Sequence, residues 1–315
     1  MYLHEHPEFP GLLRIIEEEK GILAHLVEKD YWIMHCLYGL KRQGYNFQLK
    51  GGTSLSKGYG IIHRFSEDID LHINPPAELG INENPNNSSP GNIEKKKAYY
   101  DTLAKEIAIP GVTSVERDTA FDDERRYNSG GIRLIYQVTT TRIEGVKQGI
   151  LLEAGYDNVV PNNPLTISSW AYDRANSIPD LGIIDNRATE IVCYDSRFTF
   201  VEKLQTIATK FRKEMSTGAV TTNYMRQYYD MYCLLGDQRV IDFIGTEAYL
   251  EHKKKRFPKE DFEIPVRENE AFLLTAPGLR ENFRQRYEVT RALYYKGQPT
   301  FDSLLERIGA YVERL

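Results

Sequence analysis

In the run Ser66-Glu67-Asp68-Ile69-Asp70-Leu71-His72-Ile73, acids and a histidine alternate with apolar residues. A period of two is that of a strand, so Asp68 and Asp70 point the same way with Cα atoms roughly 6 to 7 Å apart. Carboxylates so placed can share divalent metal: Mg²⁺ usually keeps several waters and binds through one or two carboxylates together with substrate phosphates. Two such ions, roughly 3.5 to 4 Å apart, clamp the attacking and leaving oxygens of an in-line phosphoryl displacement. A solvated strand face has the same spacing, so the pair alone leaves both readings open. Upstream lies Gly51-Gly52-Thr53-Ser54-Leu55-Ser56-Lys57. Two glycines between a strand and a helix let the backbone approach a phosphate and direct N–H groups toward it, and Thr53 and Ser54 add hydroxyl donors. By itself that segment fits an ordinary capped turn equally well. The glycine turn and the acid pair together are more specific than either alone.

The elements that must position these residues follow from apolar spacing. Leu12, Leu13, Ile16, Ile22, Leu23, Leu26, Ile33, Leu37 and Leu40 carry a helical period and predict two leading helices over residues 9–42. Residues 45–49 read as a short strand entering the glycine turn, 54–62 as a returning helix and 66–73 as the acidic strand. Residues 74–92 are rich in Pro, Asn, Gly and Ser and predict a mobile loop. A helix over 94–107 and strands over 131–140, 149–156 and 190–194 complete a mixed α and β unit. Beyond Ser196 the pattern is mainly helical, with helices expected over 198–213, 223–235, 240–252 and 279–295. The expected fold class is therefore α+β. A mixed sheet flanked by helices would occupy residues 1–195 and a helical bundle residues 196–315.

A chain of 315 residues exceeds a typical single domain, and no run approaches the roughly 20 apolar residues of a membrane-spanning helix. The start MYLHEHPEFPGLLRIIEEEK lacks a basic leader and a continuous apolar core, so a cytoplasmic protein is expected. Cys36, Cys193 and Cys233 stand far apart without metal-ligand spacing and read as buried free thiols. A formal charge of −5 argues against coating nucleic acid by bulk electrostatics, although a local basic surface can still hold a polynucleotide. For such a surface the sequence offers Lys95–Lys97, Lys253–Arg256 and Arg280, Arg284, Arg286 and Arg291. Each run also suits a solvated helix face.

GGTSLSKGYGIIHRFSEDIDLHI resembles the signature of the AbiEii/AbiGii toxins, including MenT-type relatives, within the DNA polymerase β-like nucleotidyltransferase superfamily. The resemblance extends to VEKDYWI from Val27, FVEKLQTI from Phe198 and RQYYDMYCLL from Arg226, and covers the region after residue 240 least. It implies that Gly51, Gly52, Thr53 and Ser54 cradle a nucleotide, that Asp68 and Asp70 hold metal, and that Arg64 and Ser66 flank the site. It further implies a third carboxylate from a neighbouring strand. Glu153 in GILLEAGY is the match, with a structural ion pair as its other reading. Lys203 is implied to meet the triphosphate of the NTP, and Asp230 to lie at the rim of the site. Arg226 and Asp230 are also i and i+4 on one helix and suit a simple pair. Gln227 and Tyr228 replace the more charged residues of relatives. The EKDYW segment reads as a structural brace.

The resemblance implies a toxin of a toxin–antitoxin or abortive-infection system that transfers a nucleoside monophosphate from an NTP to RNA, at the 3′ end of tRNA. Mg²⁺, two ions, or Mn²⁺ would serve as cofactor, and the antitoxin would be encoded separately and act with or without a stable complex. A phosphate on Ser66 would repel substrate phosphate and disturb the metal. Two other classes remain open: an aminoglycoside-type small-molecule nucleotidyltransferase, and a catalytically silent binding module.

Overall fold

The structure, a computed structural model, describes residues 1–141, 147–157 and 159–315. The chain divides into two compact units, Met1–Tyr59 with Phe65–Tyr194, and Gly60–Arg64 with Asp195–Leu315.

The first unit opens with α1 (Phe9–Lys20) and α2 (Ala24–Arg42), separated by Gly21 in the left-handed conformation. Its sheet comprises β1 (Phe47–Lys50), β2 (Asp68–Ile73), β3 (Val112–Asp118), β4 (Ser129–Tyr136), β5 (Ile150–Gly155), β6 (Asn162–Ile167) and β7 (Ala188–Tyr194). The order is β3-β4-β5-β2-β1-β7-β6, with β2 parallel to β5, β1 parallel to β7, and the other pairs antiparallel. Alternation gives the sheet two chemically different faces. Ile69, Leu71, Ile132, Leu134, Leu152 and Ala154 are buried on one of them. The helix Pro90–Glu106 brings Tyr100 over Gly130 there, and α2 stacks Trp32 on Tyr136 at 4.5 Å. Each buried Ile or Leu side chain contributes roughly 1.5 to 3 kcal/mol. A one-residue slip of β2 would exchange Ile69 and Leu71 for unpaired carboxylates in that layer, so the apolar face fixes the register that aims the acids outward.

The second unit is helical: Ser196–Thr217, Arg226–Leu234, Gln238–Phe243, Glu247–Arg256, Pro277–Glu288 and Phe301–Gly309 surround a core containing Phe200, Leu204, Ile207, Tyr228, Phe283 and Leu304. Residues 60–64 join it by backbone pairing. Arg64 bridges Tyr294 in antiparallel fashion, and Tyr295 N–H donates to the His63 carbonyl at 3.2 Å. Among the described residues no helix is long and apolar enough to cross a membrane.

The architecture is the expected α+β, with local departures. The helix predicted over 54–62 is a short helical turn, Gly51–Thr53, running into a wider one over Ser54–Gly58 whose closing bond is Tyr59 N–H to the Ser54 carbonyl at 3.0 Å. Gly60 at φ +64° ends it. The predicted 240–252 helix is broken at Gly245, φ +86°. The predicted 279–295 helix stops at Glu288, before the β-branched Val289 and Thr290. Strands β3 and β6 escape sequence reading because both are edges. The first is hydrophilic, and the second contains Pro164, tolerated only where no ladder bond is required. The asparagines of 74–92 make turns, Asn82 accepting from Asn84 N–H and Asn84 from Asn86 N–H, both at 2.9 Å. Composition read as mobility is here side-chain turn chemistry.

Candidate active site

On the polar face of the sheet, strand pairing sets Lys50 beside Asp70, Asp70 beside Glu153 and Glu153 beside Gly131. Side chains in register share a face, and Asp68 shares it as the i−2 neighbour of Asp70. Three carboxylates from two adjacent parallel strands therefore converge at the centre of the sheet. The glycine turn is fitted to them. Gly51 has φ +69°, and a Cβ there would overlap the Asp70 carboxylate, so conformation and space both require glycine. Thr53 Oγ1 donates to the Asp68 carbonyl at 2.6 Å. Its hydroxyl thus ties the turn to the acidic strand. Gly52 and Ser54 are buried behind it, and Ser66 is half-buried in the extended stretch before β2.

Burial, then the charges of Asp70 and Asp68, push the Glu153 carboxyl up to about 7, while Lys50 and Lys147 pull it partly back. A glutamate at that value holds a proton loosely at neutral pH, as a general base requires. The sign follows from linkage. With a carboxyl near 4.3 in the unfolded chain, the folded protein binds the proton more tightly, so the stability this confers is full below about 4.5 and is lost as pH rises through about 7. Carboxyl-carbon NMR of the metal-free protein is expected to show Glu153 titrating near 7, and Glu153→Gln to flatten the fall in melting temperature over that interval. Titration below about 5 would contradict this electrostatic account.

The donor set suits a hard cation. Asp68 Oδ1 is buried and accepts no hydrogen bond among the described residues, which leaves it available to a ligand. Among those residues no group of three or more His, Cys, Asp or Glu side chains is placed to hold a metal ion by itself; Mg²⁺ usually binds through one or two carboxylates and completes its shell with waters and substrate phosphates.

Beside Glu153 lies a cavity of about 380 Å³ lined by Asp70, Asp123, Asn128, Gly155, Tyr156 and Asp157 among others. Lys50 pairs with Asp157 at 3.2 Å along its wall. Lys96, expected on an exposed basic run, is instead fully buried beneath it, donating to Asn128 Oδ1 at 2.8 Å and lying 4.9 Å from the Tyr156 ring centroid. Lys95 and Lys97 remain exposed.

The EKDYW segment braces these parts from α2. Glu28 accepts from the backbone and hydroxyls of Thr139 and Thr140, and Lys29 donates to the Lys147 carbonyl at 2.7 Å. Asp30 pairs with Lys57 at 2.7 Å and accepts from Trp170 N–H at 2.9 Å.

Lys203 and Asp230 come together in the helical unit. Asp230 is fully buried, with Oδ1 on Arg64 Nε and Oδ2 on Arg64 Nη2 at 2.7 Å, and Lys203 Nζ 2.9 Å away. Lys203 also donates to Gln227 Oε1 at 3.0 Å. Asp230 is thus a buried anchor of this unit whose ion partners include Arg64 and Lys203. Burial alone would raise the Asp230 carboxyl, but Arg64 and Lys203 override it and hold the group at about 2.

Four of the basic side chains proposed for RNA contact are engaged within this unit: Arg280 and Arg284 pair with Asp302, Arg286 with Glu214 and Arg256 with Glu202. Lys254, Lys255 and Arg291 are exposed. Cys36 and Cys193 are buried free thiols as expected, and Cys233 is partly exposed. Sequence reading missed Lys50, Asn128 and Lys147. Their partners stand far away in the chain, and no local spacing marks them.

The chain matches the model of the nucleotidyl transferase AbiEii toxin family of type IV toxin–antitoxin systems over residues 35–307. No curated protein matches it. Among solved structures, an antigenic nucleotidyltransferase-like protein from Paracoccidioides brasiliensis is similar at 12% identity with a TM-score of 0.38, covering 72% of this chain and 87% of that one. That likeness is too distant to carry an argument. With the glycine turn and acid row in place and the family match spanning most of its length, the chain belongs to the AbiEii nucleotidyl transferase toxin family and is a nucleotidyltransferase.

Proposed function

We propose that the chain transfers a nucleoside monophosphate from an NTP to a hydroxyl of RNA, at the 3′ end of tRNA, with two Mg²⁺ ions, or Mn²⁺, held by Asp68, Asp70 and Glu153. The observation that carries this reading is the row Asp70–Glu153 across β2 and β5, with Asp68 on the same face and the Gly51 turn against Asp70. Asp68, Asp70 and Glu153 would hold the ions, which when bound would supply electrophilic assistance at the α-phosphoryl group and acidify the attacking hydroxyl. Glu153 accepts the hydroxyl proton at its carboxylate. The acceptor oxygen forms its bond to the α-phosphorus as the bond to pyrophosphate breaks. Gly51 and Gly52 let main chain approach the phosphates. Family membership implies a separately encoded antitoxin, and the cytoplasm suits both substrates.

A second reading has its own support. The cavity beside Glu153 carries Asp123 and Asp157 as well as Asp70, and carboxylates suit a polyamino sugar as well as base amino groups. The test is incubation of the protein with Mg²⁺ and each α-labelled NTP, offering total RNA, purified tRNA or aminoglycosides. Label on tRNA, removed by 3′-end trimming, is expected. Label on aminoglycoside alone would transfer the assignment to small molecules, and label on no acceptor would favour a silent module.

A further inference from the structure

The two oxygens of Asp68 have different surroundings. While Oδ1 is buried and accepts no hydrogen bond among the described residues, Oδ2 lies 3.4 Å from Lys147 Nζ. Lys147 stands just before β5, and its main chain is held from both sides. The buried Lys29 donates to its carbonyl at 2.7 Å, while Glu67 accepts its N–H at 3.3 Å and pairs with Lys29 at 3.4 Å. A fully buried lysine is costly to place because its charge leaves water, and burial accordingly lowers the Lys29 pKa. Here that buried cation is used to fix the backbone of one residue. The Lys147 side chain is by contrast 37% exposed, its ammonium between the Asp68 carboxylate and the Phe121 ring, 4.5 Å from the ring centroid. A four-carbon stem on a pinned backbone can move its ammonium a few ångströms without disturbing the fold.

We propose that Lys147 is the resident counter-cation of the acidic site: it neutralises Asp68 when no metal is bound, and turns to a phosphate oxygen of the nucleotide when a divalent ion takes Asp68. The proposal rests on the nucleotidyl-transfer reading and adds to it a phosphate-binding residue. Asp68 then meets a cation in either state, so the three-acid row is never left with its full charge. The handover also links the two ligands. A divalent ion must displace the ammonium, and the nucleotide gains a contact once that has happened.

The two halves of the proposal have opposite signatures in Lys147→Met. With Mn²⁺ alone as the probe, electron paramagnetic resonance is expected to show the variant binding about fivefold more tightly than wild type, since a competing charge near 4 Å in a water-like medium has been removed. With Mn²⁺ saturating, ATP binding measured by calorimetry is expected to weaken about tenfold, the effect of losing one charge-assisted phosphate contact. Lys147→Arg, which keeps the charge, is expected to restore the wild-type Mn²⁺ affinity. Equal or weaker Mn²⁺ binding by Lys147→Met would overturn the counter-cation role. Tighter Mn²⁺ with undiminished ATP binding would overturn the handover. Failure of the underlying reading looks different: wild type labels no acceptor, or Asp68→Ala binds Mn²⁺ as well as wild type.

Discussion

Asp70→Ala is expected to reduce transfer of labelled nucleotide to any acceptor by at least about 10²-fold while leaving the fold intact. Asp70 is the middle of the three-acid row, in register with Glu153 and two residues from Asp68, so its removal leaves no pair of adjacent acids able to share ions. Losing a preorganised electrostatic group at a phosphoryl-transfer site typically costs about 10²- to 10³-fold or more. The same change removes a like charge that helps push the Glu153 carboxyl up. Hence the metal-free variant is expected to melt at or above the wild-type temperature at pH 8, and Glu153 to titrate lower. A variant that is both inactive and markedly less stable would indicate that the acids hold the sheet together rather than act on substrate. Transfer at a tenth of the wild-type rate would remove Asp70 from the mechanism.

Asp230→Ala is expected to destabilise the helical unit by about 3 to 5 kcal/mol, the usual effect of breaking one side of a buried ion pair. Arg64 would keep its charge in the interior without a carboxylate, and Lys203 would lose its partner. Urea unfolding should be followed by far-ultraviolet circular dichroism, because Trp32 and Trp170 both lie in the sheet unit and do not report on the helices. The combined replacement Arg64→Met with Asp230→Val is expected to recover part of the loss, since it removes the stranded guanidinium charge as well as the carboxylate, while Lys203 stays without its partner. In acid, a carboxyl held at about 2, against about 3.9 when unfolded, gives stability that is present above about 4 and lost as pH falls toward 2. A loss below about 1 kcal/mol for Asp230→Ala would show that the cluster is relaxed by water.

Local pattern made the acidic strand legible. Alternation around Asp68 and Asp70 gave the strand and its two faces, and the paired glycines gave the turn before it. Glu153 was reached through resemblance, because nothing in GILLEAGY says that its neighbour across the sheet is Asp70; parallel pairing over such a distance leaves no local trace. The Arg64–Asp230 pair is hidden from local pattern for the same reason. A helix wheel offers Arg226 to Asp230, whereas the fold brings Arg64 from 166 positions away. Lys96 shows the limit of reading charge runs as surface: a lysine between two lysines lies under a tyrosine ring. The edge strands were lost because hydrophilic edges and a proline erase the alternation that marks central strands.

The five residues Gly60–Arg64 are encoded between the glycine turn and the acidic strand, yet fold as part of the helical unit. The two halves of this protein are therefore not interchangeable cassettes. A gene cut at residue 195 would yield a C-terminal fragment without Arg64, its buried Asp230 deprived of the guanidinium that helps neutralise it, and an N-terminal fragment carrying that guanidinium apart from Asp230. Fusion to a foreign helical partner would fail in the same way. Any recombination that preserves a working toxin has to carry a short stretch from the middle of the catalytic half along with the distant end of the gene.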